Sequence, residues 1–445
     1  MLRRMAIAAA SAAVCICGLC PVAPAQESAP EKTIVLKAAR MITAVDDTEV
    51  KNGVVIIERG KIKAAGSALQ IPENAEVIDL GDATLLPGLI DAHTHLLSEL
   101  DGAKSIQEGD DWLQIVATQS TAQRALVGAK NGRDDLEAGI TTVRDVGNSG
   151  VNGDVALRWA IEHGYVPGPR MITSTRALAA QGGQFGRLTP EAQSIIEQEY
   201  VTIHGPESAR QAVRQALYDG ATCIKVIVNG SPANVTLDEM KAIVEEAHVS
   251  GVKVAAHAIG DAPTRIAAEA GVDSIEHAYV VKDDVLKMMA EKHIYLVPTD
   301  GTQKTFEDMS FGARQPGEAE RSAAEREFGR FVELEQDRLR RAIQFGVPIA
   351  AGSDMYLTMP GMNRGQASLL VYEAYAEAGM TPIQIIHAAT RDAADLLGMK
   401  DRVGTLEAGK LADIIAVPGD PLRDAKTLEH ASFVMKGGTV ILEKK

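Results

Sequence analysis

Two histidines two positions apart, His93 and His95, close the apolar segment Leu86-Pro87-Gly88-Leu89-Ile90-Asp91-Ala92-His93-Thr94-His95. Side chains alternate along an extended strand, so this spacing puts both imidazoles on one face. Imidazole is a common ligand for zinc and related metals. Similar endings recur in Val254-Ala255-Ala256-His257, Ser274-Ile275-Glu276-His277 and Ile349-Ala350-Ala351-Gly352-Ser353-Asp354. The chain has ten histidines, and four of them stand at these ends. A set of that kind points to a metal centre, where any one of them alone would read as a core histidine. Lys225 is the other unusual residue. It lies inside the apolar run Cys223-Ile224-Lys225-Val226-Ile227-Val228, where a charged amine is costly. One explanation is an ammonium head that reaches solvent at the strand end. The other is a desolvated amine of lowered pKa that reacts with carbon dioxide, giving an anionic carbamate able to bridge two metals.

These residues need a frame that brings strand ends together. Short apolar segments recur near Leu85–Ile90, Thr141–Arg144, Arg170–Thr173, Thr222–Val226, Val252–Ala256, Asp273–Ile275, Ile294–Pro298 and Val347–Ala351. Helical stretches such as Ser208–Tyr218, Leu237–His248 and Arg321–Phe345 lie between them. Eight strands alternating with helices predict an α/β fold, a (β/α)8 TIM barrel over 86–400, whose active sites sit at the C-terminal ends of the strands. The polar stretch 300–327 reads as a loop or lid. Residues 26–85 and 401–445 are β-rich, with a hairpin expected over Ser432–Ile441, and predict a small β-sandwich domain formed from both termini. Gly-x-Gly-x-x-Gly and P-loop signatures are absent. So is a Gly-x-Ser-x-Gly elbow, which disfavours a serine hydrolase.

Arg3 and Arg4, an apolar run from Met5 to Leu19 and the small residues Ala23 and Ala25 read as a signal peptide over 1–25. The expectation is an exported protein, periplasmic or secreted, with no membrane span after cleavage. Three of the four cysteines lie in that segment, which leaves Cys223 and no intramolecular disulfide. Sixty acids against 45 bases give a net charge of −15, and aromatics make up only 4%. That argues against nucleic acid as a partner.

The chain resembles the metal-dependent amidohydrolase superfamily. The resemblance rests on Pro87 to His95, Ile224-Lys225, His257, Ser274 to His277, Ala351 to Asp354 and the tail Gly404-Thr405-Leu406-Glu407-Ala408-Gly409-Lys410-Leu411-Ala412-Asp413. It is most similar to the branch containing imidazolonepropionase-like proteins, Xaa-Pro dipeptidases and related carboxypeptidases, and bacterial ochratoxin amidohydrolases. The resemblance implies two divalent metal ions, zinc by preference. His93, His95 and Asp354 would hold one and His257 and His277 the other, with N6-carboxylated Lys225 between them. It also implies a metal-bridged hydroxide, with Asp354 as the catalytic proton carrier. The implied substrate is a small-molecule amide or peptide that releases a C-terminal amino acid. A dipeptide or an N-acyl amino acid fits this description, ochratoxin A included. Arg187 and Tyr279 are candidates to bind a substrate carboxylate, and a homo-oligomer is expected. Arg144 and Asp145 read as a structural ion pair. The alternatives are an amidohydrolase acting on a cyclic amide, lactone or phosphotriester, and a periplasmic binding protein on an inactive barrel.

Overall fold

Strands from the two ends of the chain meet in one sheet. The computed structural model describes residues 32–101, 112–185, 187–230, 233–312 and 314–444. The expected signal peptide lies outside them. The sheet has eight strands, in the order Thr439–Glu443, Phe433–Lys436, Ile414–Pro418, Ala83–Pro87, Ile34–Ile42, Glu49–Glu58 and Lys61–Gly66, with Glu76–Asp79 also paired to Ile34–Ile42. Branched and aromatic side chains fill its inner face, including Leu36, Val55, Ile57, Leu85, Ile414 and Phe433. The expected C-terminal hairpin is present. It turns at Gly437 and Gly438, both with positive φ, which glycine adopts at no steric cost.

The remaining strands are parallel. Leu89–Thr94, Ile140–Asp145 and Arg170–Thr173 form one three-stranded sheet. A six-stranded sheet runs Tyr200–Thr202, Ala177–Ala179, Cys223–Ile227, Lys253–Ala258, Ser274–His277 and Tyr295–Val297. Most of these residues are buried, as expected of parallel strands covered on both faces. Hydrogen bonds also run between the sheets. Thr222 N–H donates to Thr173 O at 2.7 Å, Leu296 pairs with Ile349 in a parallel bridge, and Ala92 N–H donates to Ala351 O at 2.8 Å. The expected strand Leu85–Ile90 is in fact two, one in each sheet system. Gly88 is the joint, and a Cβ there would come within 2.2 Å of Thr141 Oγ1.

Helices cover the parallel strands. Leu237–Val249 starts with a capping box in which Thr236 and Glu239 exchange hydrogen bonds. The expected loop over 300–327 is largely helical. Thr302 caps the helix Gln303–Phe311, and Glu318 already begins the helix that runs to Phe345. The long helix hides its signal because most of it is charged and solvent-facing. Its buried residues Val332, Glu335, Arg338, Leu339 and Ala342 keep helical spacing, but two of the five are charged. No helix among the described residues is long and apolar enough to cross a membrane.

Candidate metal centre

The ends of the parallel strands converge on one cavity of about 510 Å³. His93, His95, Lys225, His257, His277 and Asp354 all line it. The rings of His93 and His95 lie 5.3 Å apart, those of His93 and His277 5.2 Å, and those of His257 and His277 4.7 Å. Asp354 Oδ1 is 3.1 Å from His95 Nε2 and 3.5 Å from His93 Nε2. Asp354 Oδ2 is 3.9 Å from His277 Nδ1. One ligand atom each from His93, His95 and Asp354 fall within 4.8 Å of one another.

Each of three histidines is oriented by a second partner. His93 Nδ1 donates to Glu276 Oε2 at 2.7 Å and His95 Nδ1 donates to Gly147 O at 2.9 Å. Thr299 spends its hydroxyl hydrogen on Pro298 O at 2.6 Å, so it accepts from His277 Nδ1 at 2.7 Å. In all three rings the Nε2 lone pair is left for a cation, the arrangement expected around metal-binding imidazoles. Asp91 accepts from the backbone N–H of both His93 and Ser353 at 3.0 Å, which ties the two ligand-bearing segments together. Gly352 packs on His93, where a Cβ would come within 2.8 Å of His93 Cβ. His277 and Asp354 have φ of 69° and 50°. The left-handed backbone at these two non-glycine residues is strain stored at the site.

The charges follow from this packing. Burial, reinforced by the charge on Lys225, lowers His93 to about 4 and His257 to about 3, and it also holds His277 well below the ordinary histidine value. The rings are therefore neutral and able to donate a lone pair near pH 7. Burial lowers Lys225 to about 8, against the pull of Glu276 and Asp354. Asp354 is partly buried, which raises its pKa, but the facing His93, His95 and His277 outweigh that and hold it ionised.

Arg144 and Asp145 do not act as the expected pair. Arg144 reaches Glu276 Oε1 at 2.8 Å and Ala92 O at 2.6 Å, while Asp145 accepts from Leu96 N–H at 2.7 Å. Glu276 therefore joins Arg144 to His93, a role the sequence reading missed. The signal was the charged residue inside the buried strand Ser274-Ile275-Glu276-His277. Tyr279 lines the cavity. Arg187 is exposed and is not brought to the wall. Trp112 and Tyr356 lie against His95, with ring centroids 6.1 and 6.0 Å from it, and form an aromatic wall that periodicity did not reveal. Cys223 is buried behind the site and its thiol is pushed up to about 12, which removes it as a nucleophile.

The Amidohydrolase family model matches residues 84–442, which includes every one of these strand ends. The chain belongs to the amidohydrolase family. It is a hydrolytic enzyme acting on carbon–nitrogen bonds. This amidohydrolase is 28% identical to the ochratoxinase of Aspergillus niger, over 92% of this chain and 87% of that one. It is also 28% identical to the imidazolonepropionase of Geobacillus kaustophilus, over 88% of this chain and 91% of the other. Among solved structures, a Xaa-Pro dipeptidase with bound methionine in the active site superposes with a TM-score of 0.78 at 29% identity. That match covers 92% of this chain and 99% of the dipeptidase.

Proposed function

We propose that this amidohydrolase is a binuclear-metal enzyme that cleaves an amide bond and releases a C-terminal amino acid from dipeptides or N-acyl amino acids. The carrying observation is the convergence of His93, His95, His257, His277, Lys225 and Asp354 on one cavity. The donor set fits divalent zinc: neutral imidazoles with their other nitrogens engaged, one carboxylate, and a buried lysine able to supply an anionic oxygen after carboxylation. His93, His95 and Asp354 would hold one ion and His257 and His277 the other, with carboxylated Lys225 between them. When bound, such ions lower the pKa of water and polarise a carbonyl.

The chain's own groups do the rest. Asp354 takes the proton of the attacking water and delivers it to the nitrogen of the leaving amine. A C–O bond forms, the C–N bond breaks, and the amine leaves protonated. Glu276 and Thr299 keep the rings of His93 and His277 in position as charge shifts. Trp112 and Tyr356 offer an apolar surface to the substrate, which supports an N-acyl aromatic amino acid such as ochratoxin A. The likeness to the Aspergillus ochratoxinase and to the dipeptidase supports the same class.

The hydrogen bonds that join the parallel strands in a circuit support a closed (β/α)8 barrel. The sheet built from both termini supports a small β-sandwich beside it. Signal cleavage after residue 25, export, and a homo-oligomer complete the proposal.

The test is a turnover panel of N-acyl amino acids, dipeptides and a cyclic amide, with metal content measured on the same sample. Two bound ions and release of a C-terminal amino acid are expected. Turnover confined to the cyclic amide would favour the activity named for the Geobacillus relative. A Lys225→Ala variant should lose the second ion and most activity, with partial rescue by a short carboxylic acid. Full activity with two tightly held ions in that variant would refute the carbamate.

A further inference from the structure

The segment after the strand Tyr295–Val297 brings Asp300 to the lining of the cavity. Asp300 is 5% exposed. Its Oδ1 accepts from Arg338, and its Oδ2 has no hydrogen-bond partner. Arg338 stands behind it, fully buried. The Arg338 guanidinium lies 5.4 Å from the ring centre of Tyr279, and its Nε and Nη1 are also unpartnered. Glu335 sits one helical turn earlier on the same face of the helix. It accepts from Gly301 N–H at 3.4 Å through Oε2, and its Oε1 has no partner.

This trio holds two carboxyl groups and one guanidinium. Buried groups that are neither paired nor hydrogen-bonded are costly, and four unpartnered polar atoms lie here together. The guanidinium can balance one carboxylate. The other must hold a proton or meet a second cation. Burial, with the charge of Asp300 beside it, pushes Glu335 up to about 9, so in the free protein the proton balances it. Asp300 lines the cavity and Arg338 does not, so Asp300 is the member of the trio that an incoming group would meet first.

We infer that Asp300, backed by Arg338 and Glu335, forms a subsite for a cationic group of the substrate, an ammonium or guanidinium carried next to the scissile amide. The inference rests on reading the cavity as the site of amide hydrolysis. Asp300 directly follows Thr299, which orients His277, so a group held there lies beside the reacting bond. The entering cation takes over from the proton on Glu335 as the third partner of the cluster. The cation could be a substrate's α-ammonium or a basic side chain.

The test uses the metal-loaded full chain and three substrates, N-acetyl-glycyl-norleucine being shared by both comparisons. N-acetyl-glycyl-lysine against N-acetyl-glycyl-norleucine reads the side-chain cation. Glycyl-norleucine against its N-acetyl form reads the α-ammonium. The expected result is a kcat/KM advantage of about tenfold or more for the cationic member of one pair, the size of one charge-assisted hydrogen bond. That ratio should fall toward one in Asp300→Asn and drop severalfold in Glu335→Gln, with thermal melts confirming that each variant folds. No preference in the wild type, or a ratio intact in both variants, overturns the subsite. If none of the three is hydrolysed, the amide-hydrolase reading fails, and calorimetric titration decides the subsite independently. N-acetyl-lysinamide and norleucinamide would each be compared with N-acetyl-norleucinamide. Tighter binding of a cationic member that is lost in Asp300→Asn sustains the subsite, and equal binding of all three overturns it.

Discussion

The two sides of the cavity treat buried polar groups in opposite ways. On the histidine side the groups that stand behind His93, His95 and His277 are hydrogen-bonded. Glu276 takes His93 Nδ1, Arg144 and Ser274, Gly147 O takes His95, and Thr299 takes His277. On the Asp300 side, four buried polar atoms of Asp300, Glu335 and Arg338 have no partner. A saturated network holds fixed geometry in advance, which a metal centre needs. An unsaturated one stores a cost that a ligand can relieve. The difference suggests that one wall was built to position and the other to receive.

The comparison can be broken from either side. The largest effect is expected from the ligands. His93→Ala, or chelation of the wild type, should lower kcat/KM by about a thousandfold or more, with loss of metal measured by elemental analysis. Retained activity without metal would end the contrast.

Glu276→Gln keeps the shape but removes the charge between Arg144 and His93. Breaking a buried pair on one side costs about 3–5 kcal/mol of stability, and disturbing a partner of a metal ligand costs about 10- to 100-fold in metal affinity. Denaturant melts and metal titration would check both.

The other wall should respond with the opposite sign. Replacing Asp300, Glu335 and Arg338 together by leucine or methionine removes the unpaired atoms along with their partners. Such swaps are neutral or stabilising by about 1–4 kcal/mol. A large loss of stability would mean that the trio is structural, like the Arg144–Glu276 pair.

A further effect, small at any one pH step, is in the pH profile. Glu335 titrates near 9 when folded and near 4.5 as an ordinary glutamate. Between those values the folded protein keeps a proton that the unfolded chain has lost, so this group's contribution to stability declines as pH rises. The slope is at most about 1.4 kcal/mol per pH unit, and Glu335→Gln should remove it. An unchanged stability profile in that variant would show that Glu335 carries no raised pKa.

Much of the arrangement was legible beforehand, in uneven measure. Spacing placed His93 and His95 on one face, and the strand endings flagged His257, His277 and Asp354. Lys225 stood out as a charge within an apolar run. The long helix was found but started too late, because Glu, Arg and Gln on its exposed face mask the few positions that face inward. The split at Gly88 was missed because both halves of the run are apolar, and what separates them is a close approach to Thr141 from a different strand.

Residue type and period were enough to nominate the candidate ligands, because a histidine at a strand end is a local pattern. The partners that tune them depend on contacts no local pattern carries. Glu276 meets His93 across 183 positions, and Asp300 meets Arg338 across 38. Whether a buried charge is satisfied depends on what the fold brings against it, and the energy of burial is set there. Chain chemistry therefore supplied the candidates for the metal centre. Packing determined which side chains are fixed, which are left unpaired, and that Arg187 stays outside while Asp300 lines the wall.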